Sequence, residues 1–164
     1  MTTAESSYEK VRRKMVAARL AFMSELAKFS KDEIALRPSE SEWSPLQLAH
    51  HLYIVDGLAL EEMRRVQNEE NPLIRNLSVE APHLTRTSEP PVSLDSVLAG
   101  LAARREEIFE YLSSLPDEAW LRPLRSEEWG DLKFYQLVNI LPQHDQLHTR
   151  QLAALKAERE ASAQ

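Results

Sequence analysis

Apolar residues recur at helical spacing in four long segments of this chain, and prolines mark where those segments stop. The first helix is predicted from about Glu5 to Phe29, with Tyr8, Val11, Met15, Phe22, Leu26 and Phe29 on one stripe. The second runs from about Pro45 to Glu69 through Leu48, Leu52, Val55, Ala59, Met63 and Val66. Ser44 before Pro45 offers an N-cap followed by proline at the first helical position. The third spans about Ser93 to Ser114 with Leu94, Val97, Leu98, Leu101, Ile108, Phe109 and Leu112, and the fourth about Asp131 to Glu160 with Phe134, Leu137, Leu141, Leu152 and Leu155. Pro142 falls inside the fourth, where it should break the hydrogen-bond ladder and kink the helix.

No segment alternates apolar and polar residues well enough to compete as a strand. Four helices that are each apolar along one stripe can hide those stripes only against one another. The pattern therefore predicts an all-α four-helix bundle, a single domain over 1–164, with residues 71–92 as a Pro-rich crossover loop between helices two and three. A loop of that length is either a functional lid or a tether.

An internal repeat supports two similar halves. Asp32-Glu33-Ile34-Ala35-Leu36-Arg37-Pro38 followed by Glu42-Trp43 recurs as Asp117-Glu118-Ala119-Trp120-Leu121-Arg122-Pro123 followed by Glu128-Trp129. Each copy joins one long helix to the next, and Trp43 and Trp129 are expected to plug ends of the bundle.

Composition narrows the chemistry. The chain has 164 residues, 43% of them apolar, which suffices for a packed core. Three glycines and no cysteines exclude a P-loop, a dinucleotide-binding glycine motif, disulfides and thiolate ligands, so a metal would be held by nitrogen and oxygen. A formal charge of −6 argues against nucleic acid as a partner, and no apolar run is long enough for a membrane span. The polar N-terminus carries no signal-peptide core, so a cytoplasmic location is expected.

Five histidines occur, at 50, 51, 83, 144 and 148. At ~100° per residue, and with Leu48 as zero, His51 falls near 300°, at the edge of the apolar stripe, and His50 near 200°, on the far side. With Leu137 as zero, His144, His148 and Gln151 fall at about 340°, 20° and 320° on the face that should be dry. Two inward imidazoles one turn apart need partners. A divalent metal would satisfy them, with His51 as third ligand and water in an open fourth position. Core histidines satisfied by one another and by Gln151 are the other reading. Gln151 could bond a water on the metal or a ligating ring, and Asp145 is either an orienting group behind a ligand or a surface charge. His50 and His83 are expected at the surface, and Glu62 is expected to pair with Arg105. No catalytic side chain is evident.

Trp43-Ser44-Pro45, His51-Leu52 and the run His144-x-x-x-His148-x-x-Gln151-Leu152 resemble the DinB/YfiT-like family of four-helix bundles over nearly the full chain. The resemblance implies His51, His144 and His148 as ligands of a divalent metal, commonly Ni²⁺ or Zn²⁺. It also implies activity as a metal-dependent hydrolase or as a transferase or isomerase using a low-molecular-weight thiol such as bacillithiol or mycothiol. The expected partner is a small-molecule substrate, with metal-activated water or thiol as nucleophile. The alternative is a non-catalytic, stress-related metal-binding or dimerising bundle. A homodimer is compatible with the sequence, although no exposed apolar stripe names its face.

Overall fold

The computed structural model describes residues 5–91 and 93–163. Among these residues five α-helices form: α1 (Ser7–Leu26), α2 (Pro45–Asn68), α3 (Leu77–Thr87), α4 (Leu94–Ser113) and α5 (Phe134–Ser162). Side-chain caps start three of them. Ser6 accepts from the Glu9 amide, Ser44 forms a capping box with Gln47 ahead of Pro45, and Ser93 does the same with Ser96. α1, α2, α4 and α5 make the four-helix bundle. α1 packs chiefly on α5, while α2 lies against both α4 and α5. α1 thus packs on the last helix of the chain and not on α2, the helix that follows it.

Two expectations are corrected. Residues 71–92 are not a loop throughout, because α3 occupies its middle and packs on α2 through Leu77, Ala81 and Thr85. Pro82 is tolerated there because only the Ser78 carbonyl, near the helix start, forgoes its bond. Strands also form. β1 (Pro123–Ser126) and β2 (Gly130–Lys133) pair antiparallel around a three-residue turn, with Gly130 at φ 77°. The sequence placed residues 131–133 in the fourth helix, which starts instead at Phe134. α1 likewise ends at Leu26, short of Phe29. α5 continues through Pro142.

The crossover and the hairpin are joined to each other. The Ile74 amide donates to the Arg125 carbonyl at 2.9 Å, and the Arg125 amide donates to the Pro72 carbonyl at 2.8 Å. The Ser78 hydroxyl donates to Glu128 at 2.6 Å.

The apolar interior has two clusters, one around Met15, Met63, Ile108 and Leu141, the other around Phe22, Leu52, Leu101 and Leu152. A charged layer lies between them, to which each of the four helices contributes one residue. Arg19 of α1 reaches Asp56 of α2 at 3.0 Å and Asp145 of α5 at 3.1 Å. Arg105 of α4 reaches the same two carboxylates at 3.2 and 2.9 Å. Two arginines and two aspartates balance in charge, which is what lets ionised groups remain inside. Glu62 is fully buried and pairs with Arg65 and Arg75, not with Arg105 as expected. Arg105 is already committed to the two aspartates. Among the described residues no helix is long and apolar enough to cross a membrane.

Candidate metal centre

His51 lies in the second turn of α2, and His144 and His148 are one turn apart on α5. The structure brings all three together. His144 Nε2 is 3.2 Å from His51 Nε2 and 3.0 Å from His148 Nε2. One nitrogen from each ring lies within 4.8 Å of the other two. For comparison, ligands ~2.0–2.1 Å from a tetrahedral ion stand about 3.3 Å apart.

Hydrogen bonds behind the rings decide which nitrogen faces inward. His51 Nδ1 is 3.0 Å from the Thr85 hydroxyl, whose proton goes to the Ala81 carbonyl at 2.8 Å. The hydroxyl therefore accepts from Nδ1–H, and His51 Nε2 presents a lone pair. His148 Nδ1 donates to Gln151 Oε1 at 2.8 Å, which leaves its Nε2 in the same state. A single proton on His144 Nε2 could serve only one of its two close neighbours. Without a cation between the rings, lone pairs meet at hydrogen-bond distance; with one, each of the three Nε2 atoms gains a partner. The residues thus fit a divalent metal.

Their electrostatics agree. Burial pushes His51 down to about 2, and the nearby His144 and His148 rings add to the shift. Burial and then His148 push His144 down to about 3. Burial also lowers His148, against the opposing bond to Gln151. All three are neutral at pH 7, the state a metal requires of imidazole.

The remaining expected residues fall as follows. Gln151 is exposed yet holds His148. Asp145 is only 1% exposed and belongs to the charged layer. It is thus no surface charge, and its carboxylate bonds arginines, not an imidazole. His83 is at the surface, whereas His50 is half-buried, with Nε2 3.1 Å from the Ser88 hydroxyl and away from the other rings. Trp129 is 37% exposed and does not plug an end of the bundle, while Trp43 is half-buried against the core. Trp43 packs on His51 with ring centroids 4.8 Å apart, and both indoles line a cavity of about 250 Å³ that opens beside the three histidines. The sequence reading missed Thr85. Its signal was the spacing of Leu77, Ala81 and Thr85, which puts all three on one helical face.

The chain is similar to known proteins. The family model described as the DinB superfamily matches residues 14–152. "Uncharacterized protein YuaE" of Bacillus subtilis is 27% identical over 150 residues, covering 85% of this chain and 93% of that protein. YfiT from Bacillus subtilis, described as a probable metal-dependent hydrolase with an unusual four-helix bundle topology, superposes with a TM-score of 0.68 at 14% identity, covering 95% of this chain and 91% of YfiT. A mycothiol-dependent maleylpyruvate isomerase superposes with a TM-score of 0.63 at 14% identity, covering 93% of this chain but 63% of the isomerase. At such identities the two structures share the fold. With the family model matching most of the sequence, the chain belongs to the DinB superfamily.

Proposed function

We propose that this protein is a divalent-metal-dependent enzyme of the hydrolase or low-molecular-weight-thiol transfer type, with His51, His144 and His148 as metal ligands. The observation that carries the reading is the convergence of three neutral imidazoles, two with their outer nitrogens already bonded, at the end of an open cavity. A divalent cation supplies Lewis acidity there and lowers the pKa of a water or thiol placed on it. Ni²⁺ and Zn²⁺ both suit an imidazole donor set.

The chain's own residues provide the rest. Thr85 and Gln151 fix the ring orientations. Trp43 packs against the His51 ring, and the mostly apolar walls of the cavity offer water few partners. The descriptions of YfiT as a probable hydrolase and of the isomerase as mycothiol-dependent support the two reaction types named. Among the described residues the ligand group stops at three, and no fourth His, Asp or Glu joins it. A metal that only stapled helices together would be expected to close its shell. That favours catalysis over a non-catalytic bundle.

The test is elemental analysis of untagged protein purified without chelator, joined to a thermal-shift series over Ni²⁺, Zn²⁺, Co²⁺ and Mg²⁺. Close to one transition metal per chain, with a raised melting temperature on adding it back, supports the reading. Protein that contains no metal and is stabilised by none of the ions overturns it. Metal-loaded protein inactive both on simple esters and on thiol conjugation of electrophiles would leave the stapling role.

A further inference from the structure

We infer that the cavity beside the three histidines receives an uncharged, apolar group, one aromatic ring or a branched hydrocarbon of similar size, and that the substrate presents its reacting polar atom only at the histidine end. The inference rests on the proposed enzyme reading for the identity of that end, and on the cavity itself for everything else.

Apart from the histidines and the indole N–H groups of Trp43 and Trp129, the lining has one polar side chain, Ser78. Its hydroxyl proton is already given to Glu128. Among the described residues no Lys, Arg, Asp or Glu side chain borders the space. A carboxylate, phosphate or ammonium carried inside would lose its water and meet no charged partner. The walls are instead Trp43, Leu77, Ala81, Trp129 and Leu141, among other apolar residues. An apolar cavity of ~150 Å³ is known to accept benzene. At about 250 Å³ this one has room for a ring with a short substituent. The polar body of a thiol cofactor would have to lie outside it.

Two segments outside the four-helix frame build the outer wall. Leu77, Ser78, Ala81 and Pro82 come from α3, and Trp129 comes from the hairpin turn. Ser126 accepts from the Glu128 and Trp129 amides at 3.1 Å each, and Ser78 clamps Glu128, so the wall is held from both sides. Trp129 remains 37% exposed at the mouth, ready to cover an entering ring.

The chain carries its own reporters. Trp43 and Trp129 line the cavity, while Trp120 packs edge-on against Phe134 in the core and does not border it. Metal-loaded protein is titrated with toluene, which cannot coordinate a metal, while the three indole N–H resonances are followed. The expected result is a saturable shift of Trp43 and Trp129 with Trp120 unmoved, and roughly tenfold weaker binding of N-methylpyridinium, which has the shape of toluene, carries its charge in the ring and cannot coordinate a metal. Ala81→Phe should abolish the toluene response with metal content unchanged. Ala59→Leu, a smaller change in the same lining, serves if the first variant does not fold. Unchanged spectra at saturating toluene, equal binding of N-methylpyridinium, or a full response in the filled variants overturns the inference. Metal content is read on the same samples, so toluene binding without bound metal would sink the enzyme reading and leave the apolar cavity standing.

Discussion

The Thr85 hydroxyl stands between His51 Nδ1, from which it accepts at 3.0 Å, and the Ala81 carbonyl, to which it donates at 2.8 Å. A residue of the crossover thereby sets the tautomer of a histidine in the bundle. Thr85→Val keeps the shape and removes the acceptor. Metal affinity is expected to fall by about 10–100-fold, while Thr85→Ser stays near wild type. Competition against a chelator of known affinity measures both, and equal affinities for the two variants would refute the role.

His50 and His51 are adjacent in sequence and differ in fate. His148→Ala and His51→Ala should leave protein that is purified without metal, whereas His50→Ala should retain close to the wild-type amount, since His50 bonds Ser88 and not the other rings. Elemental analysis of the untagged variants decides it. Equal retention in His50→Ala and His148→Ala would contradict the assignment.

The pH dependence has a definite sign. The folded state holds His51 and His144 neutral down to about 2 and 3, against an ordinary value of 6.5. Below pH 6.5 the unfolded chain takes up protons that the folded chain refuses, so stability falls as pH falls. Above pH 6.5 both states are neutral at these sites and the contribution is flat. Each ring adds a slope of up to about 1.4 kcal/mol per pH unit below that point. Urea midpoints of chelator-treated protein between pH 7.5 and 5 should therefore decline more steeply than those of a His51→Gln/His144→Gln double variant. Parallel profiles would show that the folded rings titrate normally.

The charged layer makes a contrast with the surface. Asp145→Ala leaves Arg19 and Arg105 sharing one carboxylate in the interior, and a loss of about 3–5 kcal/mol is expected. Glu5→Ala breaks an ion pair with Arg13 whose side chains are 41% and 68% exposed, and should change stability by less than about 0.5 kcal/mol. Urea denaturation of the two variants checks the ranking, and similar losses in both would rule out the special role of the layer.

The four long helices and the inward set of His51, His144 and His148 could be read from residue spacing, because a helix converts spacing directly into direction. The crossover could not, because its prolines hide a helix in which Pro82 costs only the bond of Ser78. The hairpin was hidden for another reason. Its strands have four residues each, and only Leu124 and Ser126 of β1 are buried, too few to show an alternation. Asp145 and Glu62 were misjudged because direction on a helix does not reveal partners. Arg19, on another helix, had to be known before the surroundings of Asp145 made sense. Both copies of the repeat lie between long helices, yet only the second carries a hairpin, and the role of Trp129 follows from that difference.

The outer wall of the cavity, α3 stitched to the hairpin, touches what enters without belonging to the frame that holds the histidines. Changes in these two segments can alter which molecules are admitted while the reactive end stays as it is. Descendants of one such ancestor could thus diverge in diet long before they diverge in chemistry.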